Sequence, residues 1–120
     1  MTDAPKPWDA SLVRTWLERR TDAARLDQAA ADRRGYSAQD DYDKAAGEEW
    51  ACRALQTGPH ADDQPAFAAR IKALLAQDEY RTTGIYDDRR FERSVRATLR
   101  KIAKMTKANE GFGNVLRYQD

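Results

Sequence analysis

Hydrophobic side chains recur every three or four positions in four separate stretches of this chain, which is the spacing of one face of an α-helix. Gly35, the pair Gly58-Pro59 and Gly84 fall between these stretches. Glycine and proline at such positions commonly end a helix. The pattern therefore predicts an all-α protein, a four-helix bundle with short loops. The predicted helices span residues 10–34, 38–56, 64–81 and 87–109.

Polar residues at the starts of these stretches predict where individual helices begin. Asp9 precedes the first helix and is a suitable N-cap. Ser37, followed three positions later by Asp40, resembles a capping box for the second helix. Asp62 or Asp63 is positioned to cap the third helix. These residues support the helix boundaries that the hydrophobic spacing gives.

The predicted core is thin for a chain of 120 residues, because Leu, Ile, Val and Phe together number 17 whereas Ala alone numbers 21. Gly47 lies in the middle of the second helix, where glycine costs about 1 kcal/mol relative to Ala, and we expect it to permit close helix–helix approach. So light a core favours oligomerisation or docking on a partner. We expect a flexible N-terminal lead at 1–8, a helical bundle at 9–110 and an extended C-terminal arm at 111–120.

The fourth predicted helix has an unusual charge pattern, with eight basic residues against one acid between positions 89 and 107. Six of the basic residues fall within an arc of about 80° on the helix, and large apolar residues occupy the opposite side. We call these six the basic ridge. They are Arg89, Arg93, Arg96, Arg100, Lys104 and Lys107.

An aligned row of cations is the feature that neutralises phosphates in nucleic-acid binding. The leading hypothesis is therefore a small non-enzymatic protein that binds a polyanion, DNA or RNA, through the basic ridge. No base-reading side chains stand out, so we predict little sequence specificity. Phe112 and Tyr118 follow this helix, and they either stack on bases or pack the arm onto the bundle.

An acidic segment competes with this interpretation, because residues 37–63 hold seven acids against two basic residues. If the acidic segment covers the basic ridge, the ridge is neutralised within the chain. Alternatively, the acids bind a basic partner, and the protein is a protein–protein interaction module such as an inhibitor or assembly subunit encoded by a phage or mobile element. The candidate acids are Asp40, Asp41, Asp43, Glu48 and Glu49.

Catalytic and metal-binding patterns are weakly represented. Arg53 and His60 loosely resemble the Arg-x4–6-His motif of HEPN-type helical ribonucleases, which leaves ribonuclease activity as a third hypothesis. In that family both residues lie on one continuous helix, whereas Gly58-Pro59 intervenes here. Cys52 has no neighbouring His or Lys, so we expect a buried thiol rather than a nucleophile. We predict no metal ion and no cofactor.

Two further patterns fail at particular positions. Gly84 and Ile85 resemble the turn of a helix-turn-helix motif, but Arg90 stands where that motif buries an aliphatic residue. The spacing of Asp41 and Asp43 suggests a calcium loop, which then lacks its oxygen ligand and its glycine.

The remaining features concern location. The single Cys fits a reducing compartment, the N-terminus lacks the pattern of a signal peptide, and no apolar run approaches 18 residues. We therefore predict a cytoplasmic protein that does not enter a membrane. The bias towards Ala, Arg and Asp suggests a bacterial or phage genome.

Overall fold

The structure is a computed structural model that describes residues 8–77, 80, 88–108 and 112. Within those residues the chain forms four α-helices, two short 3-10 turns and no strand, which confirms the predicted four-helix bundle. None of these helices is long and apolar enough to cross a membrane. Of the predicted C-terminal arm, only Phe112 belongs to the described residues. The helices are α1 at Ala10–Arg34, α2 at Gln39–Gln56, α3 at Gln64–Leu75 and α4 at Asp88–Ala108.

The first two helices form a hairpin whose ends follow local chemistry. The Asp9 carboxylate accepts hydrogen bonds from the backbone N–H groups of Ser11 and Leu12, at 3.0 and 3.2 Å, so the predicted N-cap is confirmed. Gly35 ends α1 with a φ of 78°, which glycine adopts at little cost.

The predicted capping box at Ser37 is wrong. Ala38 is the N-cap residue of α2 and makes no side-chain capping bond. The Ser37 hydroxyl donates instead to the carbonyl of Arg34, at 3.4 Å. The 3-10 turn Gly35–Ala38 places Ser37 beside the unpaired carbonyls at the end of α1, so it serves the preceding helix rather than the following one.

Helix α3 is shorter than the predicted 64–81, because other groups take the carbonyls that a longer helix would use. The Tyr80 hydroxyl donates to the carbonyl of Leu74 at 2.7 Å. The guanidinium of Arg96 donates to the carbonyls of Leu75 and Gln77, at 2.9 and 2.8 Å. Asp63 is the N-cap residue, as predicted, but its side chain makes no capping hydrogen bond.

The core lies between the four helices and is richest in aromatic rings at one end. Phe112 is buried there, with its ring centroid 5.9 Å from Trp8, 5.8 Å from Trp16 and 6.3 Å from Phe67. Trp8, which the predicted boundaries place in the lead, also donates from Nε1 to the carbonyl of Ala61 at 2.7 Å. Trp8 thus packs with the bundle, and Phe112 contributes to the core rather than to a base-stacking surface.

Helix α4 packs against α2 and α3 through one continuous stripe. Phe91, Val95, Leu99 and Ile102 are all at most 2% exposed, which matches the apolar side predicted for this helix. The stripe leaves the opposite side of α4 facing away from the bundle.

Candidate nucleic-acid interface

The basic ridge follows the outer side of α4 over nearly its whole length. From Arg89 to Lys107 the helix rises about 27 Å, at 1.5 Å per residue. The burial of the apolar stripe fixes the rotation of α4 about its axis, and that rotation turns the ridge outward. Five of the six ridge side chains belong to exposed residues, namely Arg89, Arg93, Arg100, Lys104 and Lys107.

These five exposed residues lack counter-charges in the part of the chain that the structure describes. None of them forms an ion pair or a side-chain hydrogen bond there. Neighbouring like charges on one helix face repel each other, and no ion pair to a described residue offsets that repulsion. An external anion would relieve that repulsion, so the five residues, which we call the open ridge, form a coherent anion-facing surface.

Arg96, the sixth ridge residue, is engaged within the protein. Besides the carbonyls at the end of α3, its Nε lies 3.1 Å from a carboxylate oxygen of Glu92, and its guanidinium carbon lies 5.1 Å from the ring centroid of Tyr80. Burial raises the pKa of the Tyr80 hydroxyl, although the nearby Arg96 charge acts in the opposite direction. Arg96 therefore joins α4 to the end of α3, and its guanidinium has little capacity left for a ligand.

The acidic residues of α2 are paired mainly with arginines of α1. Glu48 lies 2.6 Å from Arg20, and Glu49 lies 3.5 Å from Arg25. Glu49 also accepts hydrogen bonds from Gln28 at 2.7 Å and from Arg53 at 3.4 Å. Asp41 pairs with Arg34 of α1 at 3.2 Å. These pairs lie along the hairpin, away from the outer side of α4.

Asp40 and Asp43 pair with α4, but through Arg90, which is outside the ridge. Arg90 lies 2.7 Å from Asp40 and 3.3 Å from Asp43. Asp43 is fully buried and also accepts a hydrogen bond from Gln39 at 2.8 Å. Arg90 is displaced about 100° from Arg89 around the helix, so it points toward α2 while the ridge does not. Within the described residues, the acidic helix therefore does not cover the ridge.

The same contacts bear on the acidic candidates for a partner surface. Asp43 is inaccessible, and the side chains of Glu48 and Glu49 are only 20% and 18% exposed. Asp40 and Asp41 are exposed but already paired. The arginines of α1 that pair with these acids lie 7 to 28 positions away from them, so spacing along the sequence could not identify these pairs.

A groove of about 380 Å³ opens where the C-terminal end of the ridge meets α3. Its lining includes Pro65, Ala68 and Ile71 from α3 and Ala103 from α4. Among the described residues, the charged side chains that line it are those of Lys104 and Lys107. We call this the α3–α4 groove; sequence reasoning missed it, because it depends on how α3 packs on α4.

A second cleft, of about 440 Å³, lies between α1 and α2. Its lining contains the paired residues Arg20 and Glu48, and also Arg34 and Asp41. The charges that face it are thus of both signs and largely satisfied by each other, so the cleft does not select an anion.

The groups considered for catalysis lie apart from these surfaces. Burial raises the pKa of the Cys52 thiol to about 12, which keeps it protonated and unreactive. Helix α2 ends at Gln56, and His60 lies in the 3-10 turn Pro59–Asp62, so Arg53 and His60 do not share the continuous helix of the ribonuclease motif. Among the described residues, no group of three or more His, Cys, Asp and Glu side chains is arranged to hold a metal ion.

No protein-family model matches this chain, no curated protein matches it, and no solved structure matches it.

Proposed function

We propose that the protein is a non-enzymatic binding protein that engages the phosphate backbone of DNA or RNA through the open ridge. The observation that carries the proposal is the absence of counter-charges for Arg89, Arg93, Arg100, Lys104 and Lys107 among the described residues. Affinity of this kind comes mainly from phosphate neutralisation and the release of counterions.

The spatial pattern of the cations supports a linear anion over a compact one. The open ridge extends for about 27 Å along one helix, which suits a row of phosphates better than a single small anion. Contacts among the described residues hold no ridge side chain in the fixed geometry that bidentate base recognition requires. They immobilise the guanidinium of Arg96, but direct it at backbone carbonyls. We therefore propose binding with little sequence specificity.

The internal pairing of the acidic residues favours this proposal over the alternative of an acidic docking face. A docking face on α2 would use the acids Asp40, Asp41, Asp43, Glu48 and Glu49. To bind a partner, these acids would have to break their present ion pairs with Arg20, Arg25, Arg34 and Arg90. Asp43 is buried and could not take part at all. With respect to the residues that the structure describes, the open ridge needs no such rearrangement before it meets an anion.

The test is fluorescence anisotropy with labelled duplex DNA, single-stranded DNA and RNA at low salt. Reversing charge at Arg93 and Arg100 to Glu should abolish binding. The matched control reverses Arg33 and Lys72, which are also exposed but lie on α1 and α3, so the net charge changes equally. The control should retain most of the binding. No binding by the unmodified protein, or equal losses in both variants, would overturn the proposal.

A further inference from the structure

The α3–α4 groove adds an apolar site to one end of the proposed phosphate-binding surface. Its volume of about 380 Å³ lies at the lower end of the range of about 300–1,000 Å³ that is usual for small-ligand pockets. Lys104 and Lys107 belong both to the open ridge and to the lining of the groove. A ligand whose phosphates lie on the ridge would thus bring its attached groups to the groove.

The aliphatic side chains that line the groove favour a largely apolar group. Ile71 is a buried lining residue, and Pro65, Ala68 and Ala103 supply aliphatic surface. Thr106 also lines the groove, and its hydroxyl already donates to the carbonyl of Ile102 at 2.8 Å. The carbonyl of Thr106 accepts a hydrogen bond from Gln64 at 2.8 Å. Lys104 and Lys107 supply the positive charge of the lining, and the face of a nucleobase would gain contact with its aliphatic side chains.

Charge complementarity identifies the occupant. In the part of the chain that the structure describes, the charged lining residues are two lysines without an ion-pair partner there. The ligand is therefore expected to combine an anionic chain with an apolar appendage. A single nucleic-acid strand has this composition. In a duplex the bases are paired and stacked, so they cannot enter the groove while the phosphates lie on the ridge.

We infer that the α3–α4 groove receives an unstacked base of a single-stranded nucleic acid whose neighbouring phosphates lie on Lys104 and Lys107. This inference rests on the proposed function and deepens it, because it assigns the preferred substrate class as single strands rather than duplexes. Aliphatic walls distinguish bases poorly, so the preference concerns strandedness and not sequence.

The experiment compares strands that differ only in their bases. Labelled single strands of about 15 nucleotides, within the range of known single-strand sites, are used as DNA, as RNA and as an abasic strand with the same number of phosphates. A duplex of the same length is the fourth ligand. We expect the abasic strand and the duplex to bind about tenfold more weakly than the base-bearing strands. The difference between the DNA and RNA arms measures the preference of the protein for one sugar.

Groove-filling variants connect this preference to the site. Ala68→Phe fills the groove from α3, and Ala103→Leu fills it from α4, in case the first substitution disturbs folding. Ala69→Phe is the matched control, because Ala69 is exposed on α3 but does not line the groove. Filling the groove should lower the affinity for base-bearing strands to the affinity for the abasic strand. The Ala69→Phe control should leave both affinities unchanged.

The outcomes separate the two proposals. Equal affinity for base-bearing and abasic strands, or tighter binding of the duplex, would overturn the inference and leave phosphate binding by the ridge intact. Failure of both groove-filling variants to change the ratio would also overturn it. No binding of any strand at low salt would refute the proposed function itself.

Discussion

Gly47 of α2 and Ser94 of α4 approach each other so closely that a Cβ added to Gly47 would lie 2.6 Å from the Cβ of Ser94. The same added atom would lie 2.8 Å from the carbonyl oxygen of Phe91, which is backbone and cannot move aside without shifting α4. Ser94 itself donates a hydrogen bond to the carbonyl of Lys44 across the same contact. This contact sets the distance between α2 and the helix that carries the basic ridge.

Gly47→Ala should therefore destabilise the protein, although alanine is the better helix former by about 1 kcal/mol. Overpacking of this kind costs about 1–3 kcal/mol, and we expect that cost to exceed the gain in helix propensity. Urea unfolding followed by circular dichroism measures the difference. In a double-mutant cycle, Ser94→Gly should relieve part of the overpacking at Gly47→Ala. The double variant should therefore be more stable than the sum of the two single losses in stability predicts. A Gly47→Ala protein as stable as the unmodified one would contradict the close contact.

Arg96 should behave as a structural residue, unlike its neighbours on the ridge. Arg96→Lys removes the two bonds to carbonyls at the end of α3 and the stacking on Tyr80, because an ammonium group cannot reproduce the guanidinium geometry. We expect the free energy of unfolding to fall by about 1–2 kcal/mol. Arg93→Lys, at an exposed position one turn earlier, is the control and should change it little. Equal effects at the two positions would count against the assigned role of Arg96.

Asp43 should be the most important acid of α2 for stability. Asp43→Ala leaves the Gln39 amide and the Arg90 guanidinium without their buried acceptor, and we expect a loss of about 1–3 kcal/mol. Asp40→Ala removes the other carboxylate that pairs with Arg90, but this one is exposed, and such pairs contribute only about 0–1 kcal/mol. Thermal unfolding of the two variants compares them directly. A larger loss for Asp40→Ala would refute the burial of Asp43.

Cys52 should resist alkylation in the folded protein. Burial raises the pKa of its thiol from 9.0 to about 12, so the reactive thiolate is scarce at pH 8. As the pH rises, the thiol of the unfolded chain loses its proton before the thiol of the folded protein does. The thiol therefore contributes to the stability of the folded state below pH 9, and this contribution is lost as the pH approaches 12. Reaction with iodoacetamide at pH 8 should be slow without urea and fast in urea. Fast labelling of the folded protein would contradict the burial.

The sequence was sufficient for features that depend on periodicity and on neighbouring residues. The burial of Phe91, Val95 and Leu99 follows from their spacing on α4, and the cap at Asp9 follows from its chemistry. Ser37 shows the limit of such local reasoning, because two helix ends compete for its hydroxyl and the sequence does not indicate which of them it serves.

The features of the candidate interface that the sequence did not provide depend on tertiary packing. The acids of α2 could neutralise the ridge only if they paired with it. Their partners are instead Arg20 and Arg25 on α1 and Arg90 on α4, which lies outside the ridge. Arg96 fell on the arc of the ridge but lies beside the end of α3, which made it an internal donor. The α3–α4 groove has no local signature at all, because its two walls come from helices whose packing the spacing does not specify.

The salt dependence of nucleic-acid binding tests the central claim most directly. If the five open-ridge residues neutralise five phosphates of a single strand, log K should fall against log salt with a slope of about −3.5. Arg93→Gln combined with Arg100→Gln should reduce the slope to about −2, since two contacts are lost. Arg33→Gln combined with Lys72→Gln should leave it unchanged. A slope near zero, or one that the substitutions at Arg93 and Arg100 do not alter, would contradict the assignment of the ridge as the phosphate-binding surface.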